Sequence, residues 1–187
     1  MIADPGIASA LLSGRKTQAR VGAMSDLARS VPGDRLWVRE ACIAGRSEAG
    51  QDYMTSLRKA EFARFPDGWR QYRDGYGHAG RRPDDRDCEW IGATHMPRWA
   101  SRMTLVVEWI RREPLQHITR ADIVAEGALP ILGGLLWRWP RPIPGLHLAA
   151  RRAFAAYWNV NHPTPGGRWE DDPQVVVLGF RIEAPQI

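Results

Sequence analysis

The stretch SGRKTQAR, residues 13–20, contains one of only two lysines in the chain. Lysine and arginine together number 26, and only Lys16 and Lys59 are lysines, so 24 are arginines. A lysine amine acts as a general base when desolvation or a neighbouring cation lowers its pKa toward neutrality, whereas arginine does not deprotonate in proteins. Arg15 and Arg20 flank Lys16 and can supply that cation. The lysine at this position therefore indicates either a working base or a cap on the preceding helix.

Several familiar site patterns are excluded by the residues around Lys16 and by the cysteines. A phosphate-binding loop requires GxxxxGK[ST] after a strand, but here Arg15 replaces the glycine before the lysine and a predicted helix precedes it. Cys42 and Cys88 do not make a disulfide framework or a zinc site, and neither CxxC nor HExxH occurs. None of the five histidines lies in a nucleophile-elbow context. The sequence implies neither a metal nor an organic cofactor.

The composition predicts a soluble, cytoplasmic protein that forms one domain over residues 1–187. Hydrophobic content of 44% and charged content of 25% are ordinary for a globular protein. No apolar run approaches the roughly 18 residues of a membrane span, and the N-terminus lacks the features of a signal peptide. The net charge of +5 comes from scattered arginines. It favours an anionic partner such as nucleic acid or a nucleotide, although solvated arginines explain it equally well.

The first half of the chain shows two clear elements and then a long irregular segment. The pattern predicts a helix over residues 4–13, capped by Asp4 and ended by Gly14, and a strand within DRLWVREAC, residues 34–42. Residues 45–87 are rich in Gly, Arg and Asp and have no stable period. They predict a long insertion with a short helix around 53–64, which can form a lid or a dimer contact.

The second half alternates strands and helices. A strand is predicted over residues 102–112, and a helix within ITRADIVAEGAL, where Thr119 and Asp122 form a capping-box-like pair and Gly127 stops the helix. A Pro/Trp/Gly-rich loop covers 130–145, a helix covers about 147–159, and an apolar, central strand covers QVVVLGFRIE at 174–183. Short strands with two or three helices predict an α+β fold, a small barrel or curled sheet with helices packed outside it.

Five segments occur in a distinctive order: LLSGRKTQAR, GDRLWVREA, HMPRWASR, ITRADIVAEGA and WEDDPQVVVLGFRI. Together they resemble the ASCH family, whose fold belongs to the PUA-like superfamily of RNA-associated β-barrels. The resemblance is nearest to the longer ASCH proteins of phages and prophages, and it covers nearly the whole chain except 45–87 and 130–145. It implies a PUA-like small β-barrel. The family contains an N4-acetylcytidine amidohydrolase, proposed RNA-binding regulators and a member described as a ribonuclease.

In the amidohydrolase branch the resemblance implies three working groups, a lysine, a hydroxyl three residues later and a glutamate. They map here onto Lys16, Ala19 and Glu126. Ala19 departs from the family pattern, because a methyl group cannot attack a carbonyl and a covalent route through this position is closed. Two explanations stay open. The chain is a natural variant that binds without turnover or uses water directly, or a Thr or Ser at 19 was replaced deliberately.

Residues of the remaining motif segments are candidates for a nucleobase pocket. A flat pyrimidine needs an aromatic face and directional partners for its Watson–Crick edge. The candidates for substrate binding are Trp37, Glu40, Met96, Arg98 and Trp99. The structural alternative is that both tryptophans belong to the core and that Arg98 pairs with Glu40.

These residues lead to the prediction of an amidohydrolase that cleaves N4-acylated cytosine or cytidine to the free base or nucleoside and a carboxylic acid. In an intact site, Thr or Ser at 19 attacks the acyl carbonyl, Lys16 takes its proton and Glu126 assists the leaving amine. With Ala19 we expect ligand binding but little or no turnover. The alternatives are a PUA-like module that binds RNA or a modified nucleotide, and a ribonuclease that uses His95 and Lys16.

Overall fold

The computed structural model describes residues 1–84, 89–140 and 145–183. Within these ranges the fold is α+β, as the sequence predicts, with three helices and mostly antiparallel strands. In chain order the elements are α1 (Pro5–Leu12), β1 (Gln18–Gly22), β2 (Arg35–Trp37), β3 (Ile43–Glu48), β4 (Gln51–Met54), β5 (Phe62–Arg64), β6 (Arg70–Tyr72), β7 (Gly77–His78), β8 (Thr104–Pro114), α2 (Arg120–Ala125), β9 (Leu129–Ile131), β10 (Leu136–Arg138), α3 (Ala150–Asn161) and β11 (Gln174–Glu183).

The chain divides into two compact units. The first comprises Met1–Ala8, Leu36–Leu105 and Glu183. It contains a five-stranded antiparallel sheet with the order β4-β3-β5-β6-β7. Ala44, Ala63 and Gln71 lie opposite one another on the three neighbouring strands β3, β5 and β6, and all three are buried. A core beside it is formed by Cys42, Ala63, Phe65, Met96 and Ala100.

The sequence prediction for residues 45–87 is wrong in one respect, because the expected helix around 53–64 does not form. Strand β4 ends at Met54 and β5 begins at Phe62, and each of them pairs with β3. The range 53–64 therefore contains the end of β4, a connection and β5. The physical reason is that these strands are only two to six residues long, and their buried and exposed side chains follow neither a helical nor a regular alternating period. The predicted strand at 34–42 also shortens to β2.

The second unit comprises Ser9–Arg35 and Val106–Ile182. In this unit β11 lies between β1 and β8, so the prediction that residues 174–183 form an interior strand is confirmed. Strand β1 pairs antiparallel with β11, and Ala19 lies opposite Leu178. The core of this unit forms where α3 packs, and Trp139, Phe154 and Trp158 are among its most deeply buried side chains.

The predicted helix ends are confirmed where local capping decides them. The N–H of Ile7 donates to the Asp4 carboxylate at 2.9 Å at the start of α1. At the start of α2, Thr119 and Asp122 form a reciprocal capping box.

The prediction of a loop at 130–145 is wrong in part, because this range contains the β9–β10 hairpin. Residues 141–144 lie outside the described ranges. No helix in the described part of the chain is long and apolar enough to cross a bilayer.

Candidate functional site

Lys16 and Glu126 lie in direct contact although 110 residues separate them in the sequence. The Lys16 ammonium donates to Glu126 Oε2 at 2.9 Å and to the Glu126 backbone carbonyl at 3.0 Å. Lys16 is 1% exposed and Glu126 is 2% exposed, so water does not screen this ion pair. The structure therefore unites the two charged members of the predicted catalytic set.

The ends of two helices position this pair. After α1 the chain turns, and the N–H groups of Arg15 and Lys16 both donate to the Ala10 carbonyl. The N–H of Thr17 donates to the Ala125 carbonyl at 2.8 Å, which fixes the chain beside the last turn of α2. Glu126 is the C-terminal cap of α2, and Gly127 follows it with a φ of 110°, a conformation that favours glycine.

Arg20 occupies the other oxygen of the Glu126 carboxylate. Its Nη1 donates to Glu126 Oε1 at 3.1 Å, and its Nη2 donates to Glu113 Oε1 at 2.6 Å and lies 3.3 Å from Asp122 Oδ2. The Arg20 side chain has no exposed surface. The guanidinium thus joins three carboxylates from α2 and β8, a task for which its fork of donors is suited.

Arg111 closes the cluster on its outer side. It donates to Asp122 Oδ1 at 2.7 Å and to Glu113 Oε2 at 2.9 Å. Burial raises the pKa of Asp122, but hydrogen bonds from Arg111 and Thr119 outweigh it and hold that pKa well below its usual value. Burial likewise raises the pKa of Glu113, and hydrogen bonds from Arg111 and Arg20 reverse the effect, so the pKa is lowered. Both carboxylates are therefore charged at neutral pH.

Three cations and three carboxylates balance within this cluster, formed by Lys16, Arg20, Arg111, Glu113, Asp122 and Glu126. One buried donor of the cluster, Arg20 Nε, has no hydrogen-bond partner among the described residues. A buried donor without an acceptor is costly, and such groups commonly mark the place of water, an ion or a ligand. The cluster can therefore hold an acceptor-rich polar group beside a cation–carboxylate pair.

Ala19 lies on the other face of β1. Side chains alternate along a strand. Gln18 Nε2 donates to Asp122 Oδ1 at 3.2 Å and Arg20 also reaches Asp122, so residues 18 and 20 share one face. Ala19 points to the opposite face and is 6% exposed. The structure brings Lys16 and Glu126 together but turns the side chain at 19 away from Gln18 and Arg20.

The five predicted pocket residues all belong to the first unit, whereas Lys16, Ala19 and Glu126 belong to the second. Glu40 and Met96 lie together, since the Glu40 N–H donates to Met96 Sδ at 3.1 Å. Glu40 does not pair with Arg98, the structural alternative considered from the sequence. Its carboxylate accepts two hydrogen bonds from Arg102, at 2.9 and 2.7 Å, and both side chains are buried.

In the first unit, arginine guanidinium groups lie against the rings of two predicted pocket residues, Trp37 and Trp99. The guanidinium groups of Arg39 and Arg98 lie 4.5 and 5.8 Å from the Trp37 ring centre. Trp99 packs against the core of this unit, and Arg73 covers its ring at 4.5 Å. Such distances are typical of cation–π contacts. Trp37 therefore offers a ring already flanked by cations, and Trp99 is largely a packing residue.

A separate cavity in the first unit has a volume of about 560 Å³. Its lining includes Met54, Leu57, Ile91 and His95. None of the eight predicted site residues lines this cavity. His95, the histidine considered for a ribonuclease, thus lies in a different unit from Lys16.

Sequence reasoning missed the residues that complete the cluster, namely Glu113, Arg111 and the ionic role of Asp122. Two signals point to them. Asp122 and Glu126 are four residues apart and so share one face of α2. Arg111 and Glu113 are two residues apart and so share one face of β8. Among the described residues, no group of three or more His, Cys, Asp or Glu side chains is arranged to hold a metal ion.

Comparison with known proteins adds no relative, because the chain matches no family model, no curated protein and no solved structure.

Proposed function

We propose that this chain is an ASCH-type protein with a PUA-like fold, and that it binds N4-acylated cytosine or cytidine as an amidohydrolase whose turnover is impaired by Ala19. One observation carries the proposal. Lys16 and Glu126, the two charged groups that the resemblance requires, form a buried contact of 2.9 Å across 110 residues of sequence. A chance pairing of surface charges would not be buried on both sides.

The roles of the two groups follow from the reaction. When a hydroxyl attacks the acyl carbonyl carbon, its proton must leave, and Lys16 is the proposed acceptor. When the bond between the carbonyl carbon and N4 breaks, the leaving amine needs a proton, and Glu126 can return it because it lies within hydrogen-bond distance of Lys16. Water then cleaves the acyl ester to give the carboxylic acid and restore the hydroxyl.

The decisive variant is Ala19→Thr, with Ala19→Val as its matched control because valine has the same shape without the hydroxyl. Both are assayed for release of cytidine from N4-acetylcytidine by chromatography. We expect release with Ala19→Thr and none above background with the unmodified chain or Ala19→Val. Folded Ala19→Thr protein that releases no cytidine from any acylated cytosine would refute the amidohydrolase assignment.

A second candidate, a binding module without turnover, is favoured by the face on which residue 19 lies. The side chain at 19 lies on the face of β1 opposite Gln18 and Arg20, and a binding module needs no hydroxyl at this position. Within the described part of the chain the buried Arg20 Nε has no acceptor, and a carbonyl oxygen of a modified base can supply one. Binding of N4-acetylcytidine by calorimetry, equal in the unmodified chain and Ala19→Thr and without cytidine release, distinguishes this candidate from the enzyme.

A further inference from the structure

Three aromatic rings cluster on one face of the five-stranded sheet in the first unit. Tyr72, Tyr76 and His78 have ring centres 5.8 to 6.0 Å apart, and Tyr72 and His78 are stacked with an interplanar angle of 29°. Tyr76 is 55% exposed and the other two rings are partly exposed. An isolated exposed tyrosine is ordinary, but three adjoining rings at the end of a sheet form a platform.

Strand register explains why these rings share a face. Phe62 pairs with Tyr72, the Tyr72 N–H donates to the Tyr76 carbonyl, and Gly77 between Tyr76 and His78 is buried on the opposite face. The Phe62 ring continues the cluster, 5.6 Å from the Tyr72 ring. It lies directly over Gly45, where any side chain would collide with it. The platform is thus anchored on a buried ring of the sheet.

Two arginines stand beside the rings on the same face. Arg64 pairs across the strands with Arg70, and Arg70 pairs with His78. The Arg70 guanidinium lies 4.9 Å from the Phe62 ring centre and is paired with Asp52, the acidic group that also faces this side. Arg64 Nε is buried and has no hydrogen-bond partner among the described residues. The Arg64 residue as a whole is partly exposed, so its guanidinium can donate to an acceptor such as a phosphate oxygen.

We propose that this face, which we call the tyrosine platform and define as Tyr72, Tyr76, His78, Arg64 and Arg70, binds single-stranded nucleic acid. Rings on a sheet stack on unpaired bases, and arginines beside them contact the phosphates. The net charge of +5 favours an anionic partner over an apolar protein surface, and the adjoining rings favour a nucleic acid among anionic partners because unpaired bases stack on them. A duplex does not fit this chemistry, because its bases are already stacked on each other.

The platform lies within residues 45–87, outside the segments that carry the family resemblance, and outside the cluster around Lys16. The inference therefore does not depend on hydrolysis. An oligouridine contains no cytosine, so its binding tests the platform whether or not the chain acts on acylated cytosine.

The test is fluorescence anisotropy with labelled oligouridine RNA and oligothymidine DNA, using the full chain. Tyr76→Ala removes an exposed ring, and we expect a Kd about 5- to 100-fold higher, the range for losing one stacked base. Tyr76→Phe keeps the ring and should bind like the unmodified chain. Tyr53→Ala is the matched control, since Tyr53 is 45% exposed in the same sheet but lies across from Arg46 on the opposite face.

Three results would overturn the proposal. They are the absence of binding to both oligonucleotides, an equal Kd for Tyr76→Ala and the unmodified chain, and an equal loss in Tyr53→Ala and Tyr76→Ala. A further arm uses Arg64→Gln, which should reduce the slope of log Kd against log salt by about one if this arginine contacts a phosphate. The proposal would also be overturned if an acidic protein displaced the labelled oligonucleotide and the dependence of Kd on salt stayed the same in Arg64→Gln, since that would favour a protein partner.

Discussion

The carboxylate of Glu126 receives a different cation on each of its oxygens, Lys16 on one and Arg20 on the other. Taking charges out of water is expensive, and the attraction between them offsets that cost only when partners and geometry are good. Here Lys16 has a second acceptor in the Glu126 backbone carbonyl, and Arg20 has two more carboxylates. At the scale of residues, the site is held by a set of bonds in which each group depends on the others.

Removing one partner should therefore cost much more than an exposed lysine does. We expect Lys16→Met to lower the free energy of unfolding by about 3–5 kcal/mol, because it leaves a buried carboxylate with one cation fewer. Lys59→Met is the matched control, since Lys59 is the other lysine and is exposed, and it should change stability by about 0.5 kcal/mol or less. Urea denaturation measures both.

The double variant Lys16→Met with Glu126→Gln sharpens this test. Its loss should be smaller than the sum of the two single losses by about 1–3 kcal/mol, since neither charge is then left buried alone. Equal losses for Lys16→Met and Lys59→Met, or strict additivity in the double variant, would contradict the ion pair.

At the scale of elements, an indole ring from the neighbouring strand β8 packs on the interior strand β11. Trp109 of β8 lies over Gly179 of β11, and its indole fills the space that a side chain at 179 would need. Gly179 also pairs with Gln18 in β1, so this contact supports the strand that carries Gln18 and Arg20. The ring of Trp109 thus substitutes for a missing side chain, as aromatic residues do over strand glycines.

Gly179→Ala should destabilise the protein by about 1–3 kcal/mol, because the new methyl overlaps the indole and forces Trp109 to move. Gly22→Ala is the control in the same sheet. It has an ordinary φ and open space where the methyl would stand, so its thermal midpoint should stay close to that of the unmodified chain. A midpoint for Gly179→Ala that matches the control would show that Trp109 does not pack on this strand.

Local signals in the sequence predicted the elements that local chemistry decides. The cap of Thr119 on α2 and the apolar run of β11 lie within a few adjacent residues, and both were confirmed. The strands between Ile43 and His78 were missed, because each is held by partners elsewhere in the sheet and is too short to show a period.

At the candidate site, the contacts that the sequence does not predict are those between residues far apart in the chain. No local pattern joins Lys16 to Glu126, and only the family resemblance suggested that they meet. Glu40 could have paired with Arg98 or Arg102 on sequence alone, and the fold selects Arg102. Arginine is so frequent in this chain that its position alone distinguishes few partners.

At the scale of the whole molecule, the net charge of +5 is not held in the buried cluster, where cations and carboxylates balance. The cluster instead makes the free energy of unfolding depend on pH in the acidic range. The folded pKa values of Asp122 and Glu113 are lowered, so the unfolded chain binds more protons in acid and stability rises with pH. This contribution is complete above the unfolded-state values of 3.8 and 4.5 and is lost as the pH falls through the folded values.

Asp122→Asn should flatten the acid limb of stability against pH, measured by urea denaturation between about pH 2.5 and 6. Asp26→Asn is the control, since Asp26 is exposed and lies outside the cluster. The stability of the control should keep its full dependence on acid. An acid limb as steep in Asp122→Asn as in the control would show that this carboxylate does not carry the effect.

The double occupation of Glu126 also governs how any ligand enters. Nζ of Lys16 and both oxygens of Glu126 already have partners inside the protein, so a newcomer gains those atoms only by exchange. Its binding free energy is then the difference between the hydrogen bonds that it makes and those within the protein that it replaces. A molecule that only matches the site in size therefore binds weakly. Under the proposed function, discrimination between an acylated and a plain base would come from this competition, since only the better acceptor displaces what the protein already supplies.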